Sequence, residues 1–178
     1  MEIIFTKGDA TKPIGTDVKI IVHVCNDIGS WGAGFVLAIS KRWKQPEAQY
    51  RNWFKTNEGV ETETVKYVSA EKISDKTEGK LFALGNVQFV KVSADIWVAN
   101  MIGQKGISQD SSGRPPVRYE AIAEYLKKAS SFAKSENASV HMPRIGSGLA
   151  GGNWDKIEEI IQRELVSKRV KTTVYDFT

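Results

Sequence analysis

A run of apolar, largely β-branched residues, Lys19 to Val24 (KIIVHV), leads into the glycine-bearing segment Cys25 to Gly34 (CNDIGSWGAG). Phe35 to Trp43 follows, with Phe35, Val36, Ile39 and Trp43 at helical spacing. The same order of strand, glycine loop and helix start returns near the other end of the chain. There Ser139 to Met142 reads as a strand, the stretch to Gly152 is glycine-rich, and Asn153 begins a helix running to about Val166. This order constrains the fold more than any other feature. Each glycine loop presents backbone N–H groups and the positive end of a helix to whatever lies above the strand.

The remaining pattern extends the same architecture. Glu2 to Thr6, Leu84 to Val92, Ile96 to Ile102 and Val170 to Phe177 read as strands, the middle two joined at Ser93-Ala94-Asp95. Pro46 starts a second helix with Tyr50, Trp53 and Phe54 as its buried face, and Val117 to Lys134 is an amphipathic helix. Residues 56 to 80 are polar and read as a loop or edge hairpin; residues 103 to 116 form a long polar loop, a lid or a disordered segment. Strands alternating with helices predict one layered α/β domain over residues 1–178, with a largely parallel or mixed sheet.

Gly146-Ser147-Gly148-Leu149-Ala150-Gly151 matches G-x-G-x-x-G, the dinucleotide fingerprint. In a dinucleotide fold that motif sits at the first strand–helix turn, with several more strands to follow. Here one helix and one strand remain, so the dehydrogenase reading fails although Asp176 stands near where a ribose-binding acid would. What survives is the local physics, a site for phosphate or diphosphate. Gly29, Gly32 and Gly34 support it, since they too lie between a strand and a helix start. Phe35 stands where a P-loop would need Lys. Two such loops at the carboxyl ends of two parallel strands can hold a diphosphate between them.

Composition narrows the ligand classes. Net charge is +4, which favours an anionic ligand, but no basic block points to nucleic acid. No stretch approaches the roughly 18 apolar residues of a membrane span, and the N-terminus lacks the pattern of a signal peptide. A single cysteine, Cys25, excludes an internal disulfide and fits a reducing cytoplasm. With 2 histidines and that cysteine, no usual zinc site can be built, and no metal or other cofactor is expected.

Taken together, several segments resemble a macrodomain, the ADP-ribose-binding module. Lys7-Gly8-Asp9 resembles its opening element; His23-Val24-Cys25-Asn26 with Gly32-Ala33-Gly34 resembles its first ligand loop. Met142 to Leu149 (MPRIGSGL) resembles its second ligand loop and Thr173-Val174-Tyr175 its terminal strand. The branch that looks most similar holds small stand-alone macrodomains, among them ADP-ribose 1″-phosphate phosphatases and terminal ADP-ribose protein glycohydrolases. The resemblance implies a three-layer α/β fold with a mixed central sheet and helices on both faces. It implies ADP-ribose, a derivative, or an ADP-ribosylated protein as partner. By the same resemblance Asp9 accepts from the adenine amino group, with a turn role as the alternative. Asn26 binds a hydroxyl of the distal ribose. The pyrophosphate lies against Gly32, Ala33 and Gly34 on one side and Arg144, Ile145, Gly146, Ser147, Gly148 and Leu149 on the other. Tyr175 or Phe177 packs near the adenine, or is plain core.

For chemistry, His23 ends a strand before the first loop and is a candidate acid or base, with Asp27 beside it; a backbone-bonded core histidine is the alternative. His141 and Cys25 read as core. Trp31 and Trp154, each beside a glycine loop, cover the ligand or pack a helix start. The resembling glycohydrolases use a lysine and an aspartate at positions that here are Gln104 and Ala150, although Lys105 is one place away. This departure turns the expectation toward the phosphatases: ADP-ribose 1″-phosphate would be hydrolysed to ADP-ribose and phosphate, with His23, Asn26 and Asp27 as the catalytic set. A non-catalytic ADP-ribose reader and a hydrolase of ADP-ribosyl esters are the alternatives.

Overall fold

The computed structural model describes residues 1–68, 81–147 and 151–177. Its centre is a seven-stranded sheet in the order β1-β7-β6-β2-β5-β4-β3. The strands are β1 (Ile4–Lys7), β2 (Val18–Asn26), β3 (Val65–Tyr67), β4 (Val87–Ser93), β5 (Ile96–Gln104), β6 (Ala138–Met142) and β7 (Thr172–Asp176). The pairs from β1 to β5 are parallel, and β4 runs antiparallel to both its neighbours. The sheet is therefore mixed, with β2 and β6 adjacent and parallel in its middle.

Alternation along β2 explains the layers. Ile20 and Val22 join one core cluster, together with Trp97, Ala99 and Met101 of β5. Ile21 and Cys25 join the other with Val98. Successive strand side chains face opposite ways, so both faces of these strands are apolar and both need cover. One face is covered by α3 (Tyr119–Glu136) and α4 (Trp154–Glu164). On α3 the buried Ile122, Tyr125, Leu126, Ala129, Phe132 and Ala133 recur at helical spacing. Phe132 stacks on Phe89 at 4.0 Å between ring centroids and meets Trp97 edge-on at 5.1 Å. The other face is covered by α1 (Phe35–Arg42) and α2 (Gln45–Thr56).

Several expected boundaries move. The last strand starts at Thr172 rather than Val170, and β5 runs to Gln104, taking Gly103 out of the expected loop. Gly103 belongs in the strand because the ring of Tyr125 lies where its side chain would be, 2.5 Å from an added Cβ. Of the face expected to be buried on α2, Tyr50 and Trp53 are buried, whereas Phe54 is 46% exposed and lies over the Gly29 turn. The polar stretch 56 to 80 holds the edge strand β3; its remainder from residue 69 lies outside the described residues. The 103–116 segment is an ordered excursion. Its base is closed by a bridge from Gln104 to Val117 and by Lys105 N–H donating to the Pro116 carbonyl, and its tip is turned by Asp110.

Candidate functional site

The carboxyl ends of β2 and β6 open into a cleft of about 590 Å³, a size typical of small-molecule sites. One wall is the β2–α1 loop with Asn26, Ser30, Gly32, Ala33 and Gly34. The other is the β6–α4 loop with Pro143, Arg144, Ile145, Gly146 and Ser147. Phe35 opens α1 beneath Gly34, and no side chain caps that helix start. Its first N–H groups lack intrahelical partners by geometry, so this wall carries the partial positive charge of a helix end. The pair of loops read from the sequence thus meets at one cleft. Gly148 and Leu149, named in the second loop, and Ala150 beside them lie outside the described residues.

The first loop begins with an irregularity. The β2–β5 register shifts between Cys25 and Asn26, so that Cys25 opposes Ile102 while Asn26 opposes Gln104. Such a bulge re-aims the residue after it. The Asn26 amide then organises the loop. Its Oδ1 accepts from the backbone N–H of Ile28 (3.1 Å) and of Ser30 (3.0 Å), and its Nδ2 donates to the Ser30 carbonyl (2.8 Å). Asp27 faces away from the cleft: its Oδ1 accepts from the Gly106 N–H at 2.8 Å, which ties the first loop to the 103–116 excursion. Asp27 is absent from the lining and serves here as a tether between the two segments.

His23 does reach the cleft floor, yet it is 1% exposed. Asn100 donates through Nδ2 to the Pro46 carbonyl (3.0 Å) and to Gln88 Oε1 (2.9 Å). The backbone partner fixes that amide, so its Oδ1 is an acceptor, and His23 Nε2–H donates to it at 2.7 Å. Burial lowers the His23 pKa to about 4, against a smaller opposing effect of the Asn100 bond. The imidazole is therefore neutral at pH 7 and is held in the core by a side-chain partner rather than a backbone one. Burial likewise pushes the Cys25 thiol up, which leaves it unreactive. Trp31 is 4% exposed, donates from Nε1 to Ser40 Oγ at 2.8 Å and meets His23 edge-on, so it packs the helix start.

The second loop is anchored differently. Arg144 donates from Nε and one terminal nitrogen to both oxygens of Asp176, at 2.6 and 3.1 Å. Its guanidinium lies 5.2 Å from the Phe5 ring centroid and 4.8 Å from that of Trp154. Asp176 is thereby the partner of Arg144, not a ribose acid. Ser147 Oγ donates to the Arg144 carbonyl (2.7 Å), and Gly152 N–H donates to the Gly146 carbonyl (2.8 Å).

The two residues that the resemblance places near an adenine have partners within the protein. Asp9 Oδ1 accepts from the N–H and Oγ1 of Thr11 at 2.9 and 2.7 Å, the turn role, and Asp9 is outside the cleft lining. Tyr175 is 3% exposed, accepts from the Ile14 N–H at 3.0 Å and pairs with His141 Nδ1 at 2.7 Å. It belongs to the sheet, while Phe177 is 82% exposed. His141, bonded also to Ser139 Oγ, is a core histidine whose pKa burial lowers to about 4. Gln104, which stands where the resembling glycohydrolases carry a lysine, lines the cleft, and so does Ile107, which the sequence does not mark; Lys105 is exposed and does not line it. Among the described residues no cluster of His, Cys, Asp or Glu is arranged for a metal ion, and no helix is long and apolar enough to cross a membrane.

Fold and site together define a three-layer α/β ligand-binding domain whose two glycine loops face one cleft across adjacent parallel strands. Known proteins say which one. A macrodomain protein from Streptomyces coelicolor has 45% sequence identity and a TM-score of 0.76, covering 98% of this chain and 99% of that one. The chain belongs to the macrodomain family. A Bacteroides thetaiotaomicron protein of unknown function is 51% identical, with a TM-score of 0.85 over 99% of this chain and 98% of its own. No protein-family model matches. Among curated relatives, the chromodomain-helicase-DNA-binding protein 1-like of Danio rerio is 30% identical over 175 residues, which is 96% of this chain. The chain spans 15% of that relative's length and 17% of its mouse counterpart's. An ADP-ribose 1″-phosphate phosphatase of Lodderomyces elongisporus is 22% identical over 171 residues, 92% of each chain.

Proposed function

We propose that the cleft binds ADP-ribose or a derivative of it, either free or carried on a protein. The observation that carries this reading is the meeting of two glycine loops over β2 and β6, one of them opening an uncapped helix start. A diphosphate placed between them meets backbone N–H groups and a helix dipole, the preferred environment for such an anion. Arg144 and a net charge of +4 favour the same ligand class. The similarity to ADP-ribose 1″-phosphate phosphatases along nearly the whole chain points to ADP-ribose in particular.

Turnover of ADP-ribose 1″-phosphate is the finer part of the proposal and rests on that same similarity. Water would attack phosphorus and the bond from phosphorus to the 1″ oxygen would break, the water's proton passing to that oxygen to give ADP-ribose and inorganic phosphate, while loop N–H groups stabilise the developing charge. A binding-only reader is the second reading, and one observation favours it. Among the described lining residues the titratable groups are His23, Cys25 and Arg144; none is a carboxylate, and the imidazole is neutral and bonded. The buried free thiol of Cys25 is compatible with a cytoplasmic setting, which is part of the proposal. Calorimetric titration with ADP-ribose, with AMP and NAD as controls, tests binding. ADP-ribose is expected to bind well above both controls, and equal or absent binding refutes the reading. Phosphate release from ADP-ribose 1″-phosphate then separates enzyme from reader.

A further inference from the structure

One face of α2 is shaped to the first ligand loop. Glu47, Tyr50, Arg51 and Phe54 fall at i, i+3, i+4 and i+7, so they share one stripe of the helix. Each touches the loop or its support. Glu47 accepts from Ser40 Oγ (3.0 Å), which in turn accepts from Trp31 Nε1. Arg51 donates to the Gly29 carbonyl at 3.4 Å and to Glu47 at 2.9 Å. The Phe54 ring lies 2.4 Å from where a Cβ on Gly29 would stand. Tyr50 is fully buried, and its single hydroxyl hydrogen is shared between the Asn26 carbonyl at 2.7 Å and Asn26 Oδ1 at 2.9 Å.

The last contact decides what Asn26 can offer a ligand. The Ile28 and Ser30 N–H groups occupy both lone pairs of Oδ1, and the shared Tyr50 hydroxyl hydrogen closes the same oxygen from behind. Two of those partners are backbone donors and the Nδ2 partner is a backbone carbonyl, so the amide cannot be turned over without losing all of them. One Nδ2–H has no partner among the described residues, and Asn26 lines the cleft. We infer that Tyr50 is a positioning residue: the backbone partners set which way the Asn26 amide faces, and the Tyr50 hydroxyl, bridging the carbonyl and Oδ1 of that residue, holds it in place so that the cleft meets a hydrogen-bond donor. The ligand group read there is an oxygen acceptor, such as a sugar hydroxyl oxygen. Tyr50 does not line the cleft and acts through Asn26. This inference rests on the ADP-ribose reading for the identity of the ligand, but not for the polarity of the amide.

The test is Tyr50→Phe, which keeps the ring and removes the hydroxyl, titrated with ADP-ribose and with ADP, which lacks the distal ribose. Expected is a loss of about tenfold in ADP-ribose affinity, the size of one hydrogen bond, with ADP affinity nearly unchanged. Unchanged ADP-ribose affinity, or equal losses for both ligands, overturns the positioning role. Side-chain amide exchange of Asn26 by NMR supplies a ligand-free readout. The wild-type amide is expected to be protected, and Tyr50→Phe is expected to speed its exchange. A wild-type amide exchanging like an exposed asparagine, or one indifferent to the substitution, overturns the inference. Wild-type protein that does not bind ADP-ribose but passes the exchange test overturns only the ligand reading.

Discussion

The two walls of the cleft are built by opposite means. The β2–α1 loop is held by side-chain hydrogen bonds: the Asn26 amide inside it, Tyr50 and Arg51 behind it, Asp27 out to Gly106. The β6–α4 loop is tied at its start by the Arg144–Asp176 pair, and at Gly151 and Gly152 it is packed so closely that no side chain has room. A Cβ on Gly152 would lie 2.2 Å from the Gly146 carbonyl oxygen, and one on Gly151 would lie 2.8 Å from Pro115. The first wall is therefore vulnerable to deleting a polar atom and the second to adding a carbon. Both present backbone to the ligand, but their sequence constraints differ.

Substitutions can break this contrast, beginning with the most damaging. Gly152→Ala forces a carbon against backbone that cannot swing aside, so a loss of about 3 kcal/mol and of ligand binding is expected. Urea unfolding measures the first, and a near-neutral result would contradict the close packing of Gly152 on the Gly146 carbonyl. Gly29→Ala should cost less, about 1–2 kcal/mol, although its added carbon also lies very close to a neighbour. That neighbour is the half-exposed Phe54 ring, which can move, so the remaining cost is mainly a φ of 74° imposed on alanine. A Gly29→Ala loss equal to that of Gly152→Ala would erase the distinction between the loops.

Acid supplies a subtler probe of the first wall. His23 and His141 are neutral in the folded protein, with pKa values lowered from 6.5 to about 4. The unfolded chain takes up protons below its ordinary histidine range while the folded chain does not. Stability is therefore flat above that range and falls as the pH drops from 6.5 toward about 4, by roughly 3 kcal/mol for the fully buried His23. His23→Gln should lower stability at neutral pH and flatten this slope; denaturant midpoints across the window measure both. A catalytic His23 would instead leave a turnover profile with an inflection near neutrality. The smallest effect is expected at the exposed Arg144–Asp176 pair, where Asp176→Asn should shift the melting temperature little and less still at high salt.

Much of this was legible beforehand because it depends on period and punctuation. KIIVHV declared a strand needing cover on both faces, and glycine after each central strand marked the loops that meet at the cleft. What stayed hidden depends on which partner a polar atom finds. Asp9 and Asp27 are carboxylates in suggestive places, yet each closes a local turn or tether, a choice made by neighbours such as Thr11 and Gly106. Tyr50 was visible as a buried apolar residue; that its hydroxyl ends on Asn26 follows only from how α2 packs. Tyr175 was read through the resemblance, but its pairing with His141 comes from strands β6 and β7 lying side by side. Gln104 reaches the cleft because β5 runs past its expected end, and Ile107 reaches it from the excursion that follows.

The most direct test is an NMR titration of backbone amides with ADP-ribose. Amides of both walls, Gly32, Ala33 and Gly34 on one side and Gly146 and Ser147 on the other, are expected to shift together with a single dissociation constant. The Asn100 and Tyr175 amides should stay nearly still. Shifts confined to one loop, or scattered over the surface away from the cleft, would contradict a ligand held between the two loops.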